Sequence, residues 1–323
     1  MKSLFILLFF LLLSSCGKDD EQKYEDAVIT ANNLLSIGNC QEAIDVLEAV
    51  GRDSTRVLYT KTLASAYACR AGYSTTNLFS NDLASIDATN LLGSFTKFTT
   101  SSEMDAFDSL DFLDLQVAID LLLYVGGLSI ENNPTSAKRI QRIGTSKAAD
   151  VNAFLMYLLM AQLGKYNYYY GSPDVNGTKA AGDAAQECLA NYTDDPDGKG
   201  VANAFLTASG ASCSSTALTD GHPSLGAEGS LNVSRMCQGV ILFNNFFDVF
   251  PAVIASASGA DFSKLKLINQ NNLKNAFKLL TDTFPVASEA VSATSQTVCE
   301  QAYASSDLGL QYYFIYVLEL FFQ

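Results

Sequence analysis

Five carboxylates crowd one short stretch: Glu103, Asp105, Asp108, Asp111 and Asp114. Asp108, Asp111 and Asp114 recur at every third position, interleaved with Phe107, Leu110, Phe112, Leu113 and Leu115. Residues three and four apart share one side of a helix. Such acids could gather a cation, form an acidic docking face, or act as a paired acid and base. Nothing in the sequence fixes the separation of any pair, and the preferred reading is a solvated helix face with acids near its N-terminal end. Two turns, Asp174-Val175-Asn176-Gly177 and Asp194-Asp195-Pro196-Asp197-Gly198, place oxygens before a glycine, as calcium prefers. Neither carries the closing Glu of an EF-hand loop, and Asp, Asn and Gly are ordinary turn residues.

Nucleophilic and metal chemistry is poorly supplied. The only histidine, His222, sits in Asp220-Gly221-His222-Pro223-Ser224, and there is no Trp. No Gly-x-Ser-x-Gly elbow, phosphate loop or dinucleotide fingerprint occurs. No Cys-x-x-Cys pair exists to found a Cys/His zinc site. The expectation is a non-enzymatic protein with no catalytic residue, no metal and no cofactor. The best candidate surface is aromatic: Tyr166, Tyr168, Tyr169 and Tyr170. Tyrosine joins a rigid apolar ring to a hydroxyl, which suits a ligand or partner interface. The same side chains could equally pack a loop onto a helical core, and both readings stand.

The elements that would position these residues are helical. Ala27, Ala31, Leu34 and Leu35 fall at helical spacing, as do Ala43, Ile44, Leu47 and Val50, then Val57, Leu58, Leu63, Ala64 and Tyr67. No series of alternating strands appears, so the fold class is all-α. Residues 171–232 differ, being rich in Gly, Ser, Asp, Asn and Thr. They read as a loop-rich insertion with short helices at 179–191 and 201–208. Apolar helices resume at 233–257, broken or kinked at Pro251, then at 269–284 and 306–322. The last is apolar nearly all round, so it should be buried.

The first residues divide into a basic start at Lys2, an apolar run from Leu4 to Leu13, and small residues Ser14 and Ser15 before Cys16. The apolar run is too short to span a bilayer, and its layout is that of a secretory signal over residues 1–15. Leu13-Ser14-Ser15-Cys16 resembles the lipobox of bacterial lipoproteins. That resemblance implies cleavage before Cys16 and lipid attached to its sulfur. Gly17, rather than Asp, then favours the outer membrane by the same resemblance. Residues 16–23 read as a polar tether, and 24–323 as the helical domain. The chain carries a net charge of -14, and losing Lys2 makes the mature form one unit more negative. Such a surface repels phosphate backbones and anionic headgroups. Nucleic acid is not expected as a partner, and the lipid must hold the membrane.

Setting Cys16 aside leaves Cys40, Cys69, Cys188, Cys213, Cys237 and Cys299, an even number in an exported chain. They read as disulfides, whose connectivity the sequence alone does not choose.

An internal echo links Gly38-Asn39 with Gly72-Tyr73, each preceded by small residues and followed by apolar ones, with Leu78 at the place of Ile44. This pattern over residues 24–80 resembles tetratricopeptide repeats. A weaker echo, Ala161-Gln162-Leu163-Gly164-Lys165-Tyr166, would put another turn at Gly164. The remainder departs from the pattern, so the resemblance implies an irregular repeat-like solenoid. In such a fold the start of the second helix of repeat one meets the end of the first helix of repeat two. The resemblance therefore implies a Cys40–Cys69 bond; Cys188–Cys213 and Cys237–Cys299 follow by elimination and proximity. Solenoids present grooves to partners. The leading functional expectation is a membrane-anchored scaffold for a protein partner in the cell envelope. The alternative resembles transporter-associated lipoproteins, with 233–257 and 306–322 lining a cavity for a small apolar ligand.

Overall fold

The computed structural model describes residues 20–182, 187–193, 201–211, 213, 218, 220–256, 264–268 and 270–323. The export signal, Cys16 and the 194–198 turn lie outside the described residues. The fold is all-α. Helix α1 (Asp20–Ser36) opens on Asp20 and Glu21, which complement the positive end of its dipole. Residues 20–23, expected to be part of the tether, are helical; 16–19 lie outside the described residues. Gly38 ends this segment at φ +76°. Asn39 N–H there donates to the Leu34 carbonyl at 2.9 Å, a Schellman closure. Helices α2 (Cys40–Glu48) and α3 (Val57–Arg70) follow, and α3 ends the same way. Gly72 has φ +77°, and Tyr73 N–H donates to the Ala68 carbonyl at 2.9 Å. Ala31, Ala43, Ala64 and Ala66 are fully buried where these helices meet.

Beyond Gly72 the helix pairing changes. A three-residue helix at Thr75–Asn77 runs into a π turn at Leu78–Asp82 and a 3-10 turn at Leu83–Ser85. Ser, Asn and Asp compete with helical hydrogen bonds. Here Asp82 turns its carboxylate to the Thr99 N–H at 2.9 Å.

The remaining elements are α4 (Leu91–Thr96), α5 (Leu110–Leu123), α6 (Ser136–Ile143), α7 (Thr145–Gly171) and α8 (Val201–Ser209). Then come a small antiparallel pair, β1 (Gly226–Ala227) and β2 (Ser230–Leu231), and α9 (Val233–Ser256). Helices α10 (Gln270–Thr283), α11 (Gln296–Ala302) and α12 (Leu308–Tyr313) follow, with a five-residue helix at Ser288–Ser292 between the first two, a π turn at Phe314–Leu318 and a last turn at Glu319–Phe321. Helix α3 packs along α5, α5 along α7, and α7 along α9; the C-terminal segments close over α9. Val233–Ala255 is long and apolar enough to cross a membrane, yet 72% of its most apolar window is buried in the protein, consistent with a core helix.

Three expected disulfides are formed: Cys40–Cys69, Cys188–Cys213 and Cys237–Cys299, with Cα separations of 5.6, 4.5 and 5.8 Å. The expected helix at 201–208 is present, but the one at 179–191 is not. Its described residues are irregular and spend their backbone groups elsewhere. Ala180 N–H donates to the Gly171 carbonyl, and Cys188 N–H to the Asp220 carbonyl, each at 2.9 Å. The expected turn at Gly164 is also absent, because α7 runs through it unbroken. Gly164 serves close packing there, since a Cβ would lie 2.3 Å from the Phe95 carbonyl oxygen.

Candidate binding cleft

The tyrosines occupy the last turns of α7 and divide by direction. Tyr166 and Tyr170, four apart, face inward and are fully buried, with ring centroids 4.5 Å apart. Tyr166 donates its hydroxyl to the Arg235 carbonyl at 3.0 Å, fixing α7 against the start of α9. Burial holds both hydroxyls well above their ordinary titration range. Tyr168 and Tyr169 are half-buried and line a surface cleft of ≈ 790 Å³. The run thus does both things the sequence allowed, packing through two rings and presenting two others.

His222 completes this wall. Its ring stands 4.5 Å from that of Tyr169 and 5.2 Å from that of Tyr170. Its Nδ1 accepts from the Ser224 N–H at 3.1 Å, so neutral His222 carries its proton on Nε2. Burial, helped by the Arg235 charge, lowers its pKa and favours that neutral form. The Tyr169 hydroxyl bonds Ser224 Oγ at 3.0 Å. A lone loop histidine is thereby a fixed part of the wall.

The opposite wall was not foreseen. It comes from α4 and the turn after it, through Thr96, Lys97, Ser102 and Met104. No motif marks these residues; a lysine in a Ser/Thr/Phe stretch is unremarkable in sequence. The rim is Pro173, Asp174 and Val175, and Val175 is 92% exposed. This rim is seated on α4 by two glycines. A Cβ on Gly177 would lie 2.1 Å from the Gly93 carbonyl oxygen, so neither backbone could approach with a side chain between them. Lys97 also lines a second, larger cleft of ≈ 1260 Å³, between 84–91, α10 and the chain's last residues. Leu267 and Leu279 stand exposed there at 71% and 47%.

The carboxylates do not assemble into a site. Asp111 and Glu103 both pair with the fully buried Lys165 of α7, which also donates to the Thr100 carbonyl at 2.7 Å. Asp114 is buried and paired with Arg70, whose Nε lies 2.6 Å from its Oδ2. Asp105 accepts from Ser109 Oγ at 2.9 Å, and Asp108 is exposed ahead of α5. These acids tie the 100–114 segment to α3 and α7. In the first Asp-rich turn, Asp174 accepts from the backbone N–H groups of Asn176 and Thr178 at 2.9 and 2.8 Å. Those bonds hold its carboxyl below the ordinary range, the one from Thr178 contributing most. It closes its own loop.

Among the described residues, potential metal ligands gather at Cys188, Cys213 and Glu319. Both sulfurs are committed to one disulfide, and Glu319 accepts from Lys179, from Leu189 N–H at 2.7 Å and from the Tyr192 hydroxyl at 2.7 Å. This buried cluster fastens the 179–192 loop, whose Ala181 and Gly182 line the cleft, to the last turn of the chain. No family model, curated protein or solved structure matches this chain.

Proposed function

We propose that this protein is an exported, lipid-anchored lipoprotein of the bacterial outer membrane that binds a protein partner of the envelope, without catalysing a reaction. The observation that carries this reading is the pair Tyr168 and Tyr169, held on a fixed floor and facing an open cleft whose Lys97 also lines a second one. Rigid aromatic side chains at a cleft are the usual anchors of protein interfaces. Two open clefts that share a lining residue suit an extended segment better than a small enclosed ligand. The cavity-forming alternative is less favoured because α9 and the segment after α12 spend their apolar side chains on the core. Three disulfides support export to an oxidising compartment. The anchor on Cys16 and the outer-membrane address rest on the lipobox and Gly17.

The test is site-specific photo-crosslinking in intact cells. A photoreactive residue replaces Val175 at the cleft rim or, as a control, exposed Ile130. The expected result is one discrete protein adduct from position 175, absent from 130 and abolished by Tyr168→Ala with Tyr169→Ala. Equal adducts from both positions, or none, would remove the reading. A co-purified small molecule lost in the same double variant would favour the ligand-binding alternative instead.

A further inference from the structure

A third cleft lies far from the tyrosines in sequence, at the point where the chain enters the fold. It has a volume of ≈ 680 Å³ and runs between α1, the start of α3 and the start of α7. Its apolar lining is Tyr24, Val28, Ile29, Val57, Leu58 and Tyr59. Ile29 and Leu58 are 60% and 63% exposed, while Val28 and Tyr59 beside them are buried.

Charge says what such a groove would take. Its charged lining is Glu21, Glu25 and Asp150 against Arg56, Lys61 and Lys147, which sums to zero in a chain of net charge -14. Arg56 is paired with Glu21 and lies over the Tyr24 ring, 4.3 Å from its centroid; Lys61 is paired with Asp150. A lining of no net charge, with Arg56–Glu21 and Lys61–Asp150 paired within it, suits an uncharged apolar occupant better than an ionic one.

Chain geometry says which occupant is at hand. Glu21, in the first turn of α1, lines the groove, and Cys16 lies four positions before Asp20. Four extended residues reach about 14 Å, so a group on the Cys16 sulfur can arrive at the groove mouth. From Glu21 to Ile29 the helix supplies about 12 Å of groove floor along its axis, a length that takes part of one extended acyl chain. We infer that this groove seats an acyl chain carried by Cys16, sheltering it from water when no bilayer is present. The inference rests on the lipid-anchor reading given above. A bilayer surrounds an acyl chain, while the groove covers one side of it, so the chain leaves the groove wherever a membrane is available.

The experiment uses the full mature chain. Cells are supplied with a palmitate analogue bearing a diazirine and an alkyne. The lipidated protein is purified in detergent, freed of detergent without lipid, irradiated and digested. The expected result is intramolecular adducts on the peptides containing Ile29 and Leu58. They should fall severalfold in Ile29→Asp and in Leu58→Asp, both solvent-facing changes whose folding is checked by circular dichroism. In phospholipid vesicles the adducts should pass to lipid. Label on Cys16 with adducts only elsewhere, or only between copies, would overturn the groove assignment while leaving the anchor intact. No label on Cys16 would remove the anchor reading, and this inference with it.

Discussion

The helical layer of residues 20–171 and the loop layer that follows it are held by different forces. In the helical layer, α1, α2, α3, α5 and α7 bury regular apolar faces and satisfy their own backbone groups. Many of its ion pairs, such as Lys61–Asp150, lie partly in solvent. Among its described residues the loop layer has regular hydrogen bonding only in α8, a short 3-10 turn at Pro223–Leu225 and the β1–β2 pair. It is pinned at chosen points by Cys188–Cys213, by the buried Lys179–Glu319 pair and by Tyr192. A helix distributes its stability over many similar contacts, whereas this layer concentrates it in a few polar ones. The cleft sits at the seam, with two walls from the helices and its rim and His222 from the loops.

Glu319→Ala should have the largest effect. It strands the buried Lys179 ammonium, the Leu189 N–H and the Tyr192 hydroxyl at once. Breaking one partner of a buried pair costs about 3–5 kcal/mol, read as a lower denaturation midpoint. Replacing both Cys188 and Cys213 by Ser should cost somewhat less, about 2–4 kcal/mol, by the same measurement. In the helical layer, Cys40 and Cys69 replaced by Ser should cost less than that, because α2 and α3 keep their apolar contacts. Equal losses from the two disulfides would break the comparison.

Asp120 of α5 gives a smaller, signed test. It keeps some exposed surface yet is surrounded by protein, and burial raises its pKa from 3.8 to about 6, opposed by the Gln116 amide. The folded state therefore holds this proton more tightly than the unfolded chain. The corresponding stability is full below 3.8 and is lost as pH climbs through about 6. Asp120→Asn should raise the melting temperature at pH 7 and leave it unchanged at pH 3. Least of all, Asp282→Ala, which removes the exposed Lys278–Asp282 pair, should shift stability by no more than about 0.5 kcal/mol.

The same contrast explains what the sequence disclosed. Gly38, Gly72 and the apolar spacing of 27–67 are local signals, and the structure places helix ends and buried faces where they point. Leu58 departs, being exposed at the groove beside α1. The cleft was legible in half. The Tyr166–Tyr170 run announced a surface, but its division into two buried and two presented rings follows from α7 turning against α9. Lys97 and Ser102 enter through tertiary packing alone. Residues 179–191 misled because their composition permits a helix, while Glu319, some 130 positions away, captures the Leu189 N–H instead. The carboxylates of 103–114 could not reveal their partners, since Lys165 and Arg70 come from other helices.

Native-state hydrogen exchange at the Leu189 amide, compared between the wild type and Glu319→Gln, reads the lock on the loop layer at its own hydrogen bond. Leu189 should lose most of its protection in the variant while the amides of α3 keep theirs. Loss of protection in both layers together, or in neither, would contradict a loop layer locked by one buried cluster.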